Sequence, residues 1–160
     1  MRKVVANTTP LIALAEIDQL ELLHKLYGVI LIPEAVMEEI EREPARSLVM
    51  NADWIKQSPI THPEQKTLYK ARLHAGEVEV IILALEEKAD LVIMDDNTAK
   101  KTAKFLGLNV TGTLGILVKA KQEGIIKEVA PLLKSLTGNG FFVDEKTKMM
   151  VLSKSGETNQ

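Results

Sequence analysis

The residues of this chain best suited to chemistry are carboxylates and small polar groups that stand close to apolar runs. Asn7-Thr8-Thr9 comes directly after Val4–Ala6, and Asp95-Asp96 comes directly after the apolar run LVIM. If both runs are strands of a parallel sheet, the two polar groups lie at its carboxyl edge, where such sheets bind ligands. Glu39, in a predicted helix after the second strand, and Glu77, at the start of the helix before Asp95, can add two carboxylates.

These side chains supply oxygen ligands, without a histidine or a cysteine beside them. Oxygen ligands suit hard cations such as Mg²⁺ or Mn²⁺. A divalent ion held by carboxylates can polarise a phosphoryl oxygen and activate water, so phosphodiester hydrolysis is the expected use of such a site. The predicted metal ligands are Asn7, Glu39, Glu77, Asp95 and Asp96.

Each of these residues also has an ordinary structural explanation. Asn7 and the threonines after it can simply cap the first helix, with Thr8 or Thr9 at the cap position, and Asp96 can cap the helix that starts after it. Glu39 stands among three further glutamates within four residues of it, which is typical of a solvated helix face. Glu77 lies in a first helical turn, where an acid interacts favourably with the helix dipole.

The elements that must position these residues are short apolar strands that alternate with helices. This alternation predicts an α/β fold with a mostly parallel sheet covered by helices on both faces. The predicted strands are residues 3–6, 29–32, the start of 55–65, 90–96 and 108–112. The predicted helices cover residues 10–17, 18–27, 33–43, 47–54, 65–74, 77–89, 97–107, 113–124, 128–136 and the end of 141–152.

Length and composition predict one soluble domain, residues 1–152, with a frayed tail from 153 to 160. The 160 residues include no cysteine, which excludes disulfides and thiolate metal sites and fits a reducing cytoplasm. No apolar run reaches the roughly 18 residues of a membrane span, and no signal peptide is expected. The expected location is therefore the cytoplasm.

The net charge of −2 means that nucleic acid would need a local basic patch. Lys100, Lys101 and Lys104 follow the aspartate pair on one predicted helix and can contact phosphates. An ordinary solvated helix face explains the same lysines. Aromatic content is only 4%, so Trp54 and Tyr69 are the only stacking candidates, and packing is the better explanation of both.

Four segments in this order and spacing resemble the PIN-domain family, and in particular its VapC-like group. They are VVANTTPLIALAEI, VILIPEAVMEEI, HAGEVEVIILALEEKADLVIMDD and LGLNVTGTLGIL. The resemblance implies a three-layer sandwich with a sheet of four or five strands. It also implies a Mg²⁺- or Mn²⁺-dependent ribonuclease, often a toxin held inactive by a small antitoxin protein. Such domains often form homodimers, for which the early helices and residues 48–54 are the candidate surface.

The resemblance also assigns roles to single residues. The second, third and fourth acids of the family fit Glu39 (better than Glu38), Glu77 (better than Glu79) and Asp95, and a supporting hydroxyl fits Thr9. The first acid falls on Asn7, whose carbonyl can still bind a hard cation but carries no charge and is no base. The asparagine is either natural or introduced to suppress toxicity, and it implies weakened or lost activity.

Two further hypotheses remain beside the nuclease. In one, the chain is a catalytically silent PIN scaffold that binds or regulates a small antitoxin-like protein or an RNA, and Asn7 favours it. In the other, the chain is a receiver-like signalling domain. That domain needs a lysine at the end of a later strand, where residues 108–112 have none.

Overall fold

A parallel sheet of short apolar strands forms the centre of the molecule. The computed structural model describes residues 2–68 and 73–157. The sheet in these ranges has the order β3-β2-β1-β4-β5, and every neighbouring pair is parallel. This confirms the predicted α/β class and parallel sheet. The strands are β1 (Val4–Ala6), β2 (Ile30–Ile32), β3 (Ile55–Gln57), β4 (Leu91–Ile93) and β5 (Val110–Thr111).

The two central strands, β1 and β4, are buried at every residue. They consist only of alanine, valine, leucine and isoleucine, as expected for parallel strands covered on both faces. The chain builds one half of the sheet outward from β1 and the other half outward from β4. The point between them is the topological switch point, where open α/β sheets bind ligands beyond the carboxyl ends of the strands.

Helices flank this sheet and connect its strands. The longest, α5, is apolar almost all round and packs against β1 and β4, so most of its residues are buried. The helices are α1 (Thr8–Glu16), α2 (Glu21–Tyr27), α3 (Glu34–Glu39), α4 (Ala45–Asn51), a 3-10 helix (Pro63–Leu68), α5 (Ala75–Glu86), α6 (Asn97–Phe105), α7 (Thr113–Gln122), α8 (Ala130–Gly138) and α9 (Glu145–Lys154).

Several helix boundaries differ from the predicted ones. The helix predicted from Asp18 begins three residues later because Asp18 adopts a left-handed turn, with φ 59°. The helix predicted through residue 43 ends at Glu39, since Ile40 is already extended. The helix predicted over 65–74 is a 3-10 helix as far as Leu68, and residues 69–72 lie outside the described part.

The C-terminal segment packs on the domain further than predicted. Residues 153 and 154 still belong to α9, and the Ser155 side chain is buried. Glu157 accepts hydrogen bonds from the backbone N–H groups of Val129 and Ala130. The prediction of a frayed tail from Ser153 was therefore wrong as far as Glu157, and residues 158–160 lie outside the described part.

None of the helices described here is both long enough and apolar enough to cross a membrane.

Candidate functional site

Asn7 stands at the switch point, between the end of β1 and the start of α1. Its backbone N–H donates to the carbonyl of Ile93 in β4 (2.8 Å), which fixes the residue beside that strand's end. Asn7, and not Thr8 or Thr9, occupies the N-cap position of α1, but its side chain makes no capping hydrogen bond. The predicted capping role of the threonines was wrong because α1 already begins at Thr8.

The side-chain oxygen of Asn7 has no partner in the part of the chain that the structure describes. Asn7 is only 4% exposed, and among the described residues its Oδ1 accepts no hydrogen bond. Leaving a buried acceptor unsatisfied costs about 1–3 kcal/mol. This oxygen neither caps its helix nor pairs with another described group, so it is a candidate ligand for a cation.

Glu39, the last residue of α3, is held against the start of α1 and the start of α5. Its Oε1 accepts a short hydrogen bond from the Thr8 hydroxyl, and its Oε2 accepts one from the Gly76 backbone N–H (3.1 Å). Glu39 and its neighbour Glu38 are both exposed, but the Glu38 carboxyl lies beside Glu34, whose hydrogen bond and charge raise the pKa of Glu38. The preference for Glu39 over Glu38 therefore agrees with the side-chain directions in the structure.

Gly76 allows this close approach because it has no side chain. A Cβ on residue 76 would overlap the Glu39 carboxyl group. The φ of Gly76 is not in the left-handed region, so the space beside the backbone is what requires the glycine. The glycine is thus part of the cradle that brings Glu39 next to the first turn of α5.

Glu77 follows in that first turn and is 7% exposed. Burial raises the pKa of its carboxyl, and the negative charges of Asp96 and Glu39 raise it further, although a hydrogen bond from the His74 backbone N–H opposes them. Glu39, Glu77 and Asp96, from three different elements, therefore interact electrostatically across the carboxyl edge of the sheet. These like charges repel each other and disfavour ionisation, whereas the opposite charges of a structural ion pair attract each other and favour it.

Glu79, two residues further along α5, has an entirely structural environment. Its Oε1 accepts from the Ala35 backbone N–H at the start of α3 (3.1 Å), and its Oε2 pairs with Lys66 (2.7 Å). A step of two residues turns a helix by roughly 200°, so Glu77 and Glu79 face different neighbours. Of the two candidates, Glu77 is the one that stands beside Glu39.

The aspartate pair after β4 is divided between two helices. Asp96 is the N-cap of α6 and accepts from the Ala99 backbone N–H (2.9 Å), so the capping explanation holds for it. Asp95 turns toward the start of α7, where its Oδ1 accepts from the Thr113 backbone N–H (2.8 Å) and its Oδ2 from the Thr113 hydroxyl (2.7 Å).

Comparison with protein families identifies the kind of domain to which this edge of the sheet belongs. A family model described as a PIN domain matches residues 3–157, almost the whole chain. The chain belongs to the PIN-domain family. Searches of curated proteins and of solved structures found no match. The family assignment gives the chain a nuclease-type fold, and PIN domains generally depend on divalent metal ions.

The residues at this edge of the PIN domain suit such an ion by their chemistry. The donors are all oxygens, the Asn7 Oδ1 is unpartnered among the described residues, and burial together with the charges of Asp96 and Glu39 raises the pKa of Glu77. The described side chains do not form a ready-made group of three or more acidic or histidine metal ligands. The carboxylate oxygens of Glu39 and Asp95 instead accept hydrogen bonds from Thr8, Gly76 and Thr113. A bound ion would compete with those hydrogen bonds.

The remaining predicted residues of the PIN domain are distributed around this edge. The exposed Thr9 lies beside Ile12, Asn139 and Phe141. The threonine whose hydroxyl contacts Glu39 is its neighbour Thr8. Lys101 and Lys104 are exposed on α6, and Lys100 is half-buried beside Gly112. Sequence reasoning placed Thr8 at this edge but gave the supporting role to Thr9, and it missed Gly76, Gly112 and Thr113, whose only local signal is that each lies near a predicted site residue or a strand end.

Of the two predicted stacking residues, Trp54 lies in the described structure, and it does not reach this edge. Trp54 is buried and stacks on His24, with ring centroids 5.0 Å apart, which is a packing contact. Tyr69 lies outside the described residues.

Proposed function

We propose that this PIN domain is a divalent-metal-dependent endoribonuclease of the VapC toxin type. The observation that carries the proposal is the buried, unpartnered Oδ1 of Asn7 at the edge where Glu39 and Glu77 come together. A purely structural junction would use the asparagine as a helix cap, and this one does not. Strained or unsatisfied polar groups of this kind cluster at functional sites.

Asn7, Glu39, Glu77 and Asp95 are the proposed ligands of Mg²⁺ or Mn²⁺, with Asp96 beside them. The bound ion would polarise the scissile phosphate and lower the pKa of an attacking water. Gly76 and Thr8 position Glu39 through their hydrogen bonds to its two oxygens. Thr113 positions Asp95 in the same way. Thr9 supports the site only by its place in the first turn of α1.

Asn7 sets the strength of the proposed activity. Its neutral carbonyl is a weaker ligand than a carboxylate, and disturbing a metal shell typically costs about 10- to 100-fold in metal affinity or activity. We therefore expect weak cleavage by the chain as it stands.

The test is Mn²⁺-dependent cleavage of a panel of single-stranded RNAs, with chelator controls. The chain is compared with Asn7→Asp, Asp95→Asn, Glu39→Gln and the matched control Glu38→Gln, whose exposed carboxylate lies one residue from Glu39. We expect cleavage by the chain or by Asn7→Asp, retention with Glu38→Gln and loss with Asp95→Asn and Glu39→Gln. If none of the proteins, Asn7→Asp included, cuts any RNA, the proposed activity is wrong.

The proposed toxin class implies a small antitoxin protein and a homodimer. A surface lined by His24, Leu48 and Trp54, next to the exposed Met50, is our candidate for the contact between two copies. It joins the helix before β2 to the segment before β3, the region expected from the sequence. Sedimentation of the wild type and of Leu48→Asp tests it, because the charged variant should be monomeric.

A second candidate function is a silent PIN scaffold that binds a small antitoxin-like protein or an RNA without cutting it. Two observations favour it: the first family acid is the neutral Asn7, and the oxygens of Asp95 are both engaged by Thr113. Under this hypothesis Asn7→Asp restores no cleavage, while partner binding persists with chelator present.

A further inference from the structure

Phe142 is an aromatic side chain left almost entirely in solvent. It is 86% exposed, whereas its neighbour Phe141 is partly buried against the core. Both stand in the short segment between α8 and α9. A phenylalanine that stays exposed forgoes roughly 1.5–3 kcal/mol of burial free energy. One exposed ring means little by itself, so its surroundings decide whether it has a use.

The surroundings of Phe142 are a groove that reaches the candidate site. The groove has a volume of about 280 Å³ and runs from the end of β4 to the start of α9. One wall is the aromatic segment, and the other carries a carboxylate and an amine. The lining residues that matter here are Asp95, Lys100, Gly112, Phe141, Phe142 and Val143.

Gly112 keeps this groove open next to Asp95. A Cβ on residue 112 would lie 2.6 Å from Asp95 Oδ1 and 2.8 Å from Lys100 Nζ. The φ of Gly112 is −113°, which any residue adopts, so its backbone conformation does not require glycine. What the missing side chain provides is space between a predicted metal ligand and a lysine ammonium.

Lys100 places its ammonium near the Asp95 carboxylate, on the other side of the space beside Gly112, in the described structure. It forms no ion pair there, not even with Asp95 across Gly112. Lys101 and Lys104 lie exposed on the same helix, α6. Asp144 also lines the groove, but its Oδ1 accepts from the Thr147 backbone N–H (2.7 Å) at the start of α9.

We propose that this groove binds one nucleotide of RNA next to the cleavage site, with Phe142 stacking on the base and Lys100 contacting a phosphate. The inference rests on the proposed ribonuclease activity and names the subsite that positions its substrate. An aromatic ring beside an unpaired amine matches the two faces of a nucleotide, since any base can stack and any phosphate attracts a cation. A protein partner would instead favour a broader apolar surface.

The first test measures binding of a short fluorescent single-stranded RNA by anisotropy, with chelator present so that no RNA is cut. Phe142→Ala should weaken binding about 5- to 100-fold, the range expected for loss of one stacked base. Phe142→Tyr should retain binding, because tyrosine also stacks. The matched control is Phe105→Ala, which removes an equally exposed ring (89%) that does not line the groove.

An abasic scan of the same RNA separates stacking from a general structural effect. In the wild type, removing the base at one position should weaken binding as much as Phe142→Ala does. In Phe142→Ala, removing that same base should have no further effect. Equal sensitivity of both proteins at every position would overturn the stacking role.

The lysine is tested by salt dependence. Lys100→Met should lower the slope of log affinity against log salt by about 0.7, the value for one phosphate of a single strand. Lys134→Met is the control, because Lys134 is exposed on α8 and does not line the groove. An unchanged slope in Lys100→Met would contradict the phosphate contact.

These outcomes are distinguishable from failure of the proposed activity. If RNA binding depends on Phe142 but Asn7→Asp cuts no RNA, the subsite stands and the nuclease assignment falls. If RNA is cut while Phe142→Ala binds and cleaves as the wild type does, the subsite is wrong and the activity stands. The subsite is also wrong if the wild type binds no RNA at all. It is likewise wrong if Phe142→Ala leaves RNA binding unchanged and impairs only the binding of a protein partner.

Discussion

Glu157 and Glu77 are both carboxylates largely removed from solvent, and their surroundings shift the pKa of the two carboxyls in opposite directions. Around Glu157, whose side chain is 10% exposed, burial disfavours the charge, but Val129, Lys121 and Ala130 donate hydrogen bonds that outweigh it and lower the pKa of the carboxyl. Around Glu77, burial and two neighbouring carboxylates raise the pKa. Hydrogen bonds and the Lys121 ammonium therefore favour the charged form of Glu157, whereas burial and like charges disfavour the charged form of Glu77 despite the opposing effect of His74.

The difference separates a structural acid from a functional one. Glu157 ties the segment after α9 to the start of α8, and both of its carboxylate oxygens accept hydrogen bonds. The region around Glu77 gathers Glu39 and Asp96, none of which forms an ion pair in the described part of the chain, and adds the unpartnered oxygen of Asn7. Perturbed carboxylates of this second kind are candidates for functional sites.

The largest expected effect comes from Asn7→Asp, which adds a fourth charge to the region around Glu77. Mn²⁺ affinity should rise about 10- to 100-fold, because a carboxylate replaces a neutral ligand. The melting temperature with chelator should fall, since another negative charge joins Glu39 and Glu77. Calorimetric titration with Mn²⁺ and melting with chelator measure the two effects. An unchanged affinity would remove Asn7 from the proposed ligand set.

Gly76→Ala should come next, with Mn²⁺ affinity falling about 10-fold. The added Cβ overlaps the Glu39 carboxyl, which is the end of a flexible side chain and can move away. Stability should therefore change little while the ligand is misplaced. Gly138→Ala is the matched control, because a Cβ there meets no atom within 4 Å. Equal Mn²⁺ affinity in the two variants would contradict a role for Glu39.

Glu157→Gln should lower the free energy of unfolding at pH 7 by about 1 kcal/mol, through weaker hydrogen bonds to Val129, Ala130 and Lys121. A lowered folded pKa means that the carboxylate stabilises the fold above its unfolded pKa, near 4.5. The difference from the wild type should therefore shrink as the pH falls below 4.5 and through the folded pKa. Urea unfolding across pH measures it, and a gap that is constant with pH would contradict the charge-based account.

Glu77→Gln should have the smallest effect on the metal-free protein, and of opposite sign. Removing one of several mutually repelling charges should raise stability by on the order of 0.5 kcal/mol. The glutamine can still accept the hydrogen bond from the His74 backbone N–H. The measurement is urea unfolding with chelator at pH 7. A loss of stability there would mean that the carboxylate is structural.

Much of the fold could be predicted because short apolar runs and their polar ends are local signals. The strands, their parallel arrangement and the position of Asp95 followed from them. The preference for Glu39 over Glu38 came from the family resemblance, and the hydrogen bonds of Glu39 agree with it. Helix ends were less predictable because single backbone conformations, such as the left-handed Asp18, decide them.

The side-chain environments of the site could not be predicted, because they depend on contacts between distant segments. That Asn7 does not cap α1, that Gly76 receives Glu39 and that Thr113 holds Asp95 all follow from how helices cross the sheet edge. Phe142 was missed because its loop has no periodic pattern. Trp54, which was named as a stacking candidate because the chain has few aromatic residues, is buried against His24.

The contrast between the two regions is tested most directly by measuring Mn²⁺ binding to the wild type, Glu77→Gln and Glu157→Gln. Electron paramagnetic resonance of the free ion is the readout. We expect the wild type and Glu157→Gln to bind one Mn²⁺ with similar affinity and Glu77→Gln to bind at least about 10-fold more weakly. Equal binding by all three proteins, or no binding by the wild type, would contradict a metal site at Glu77.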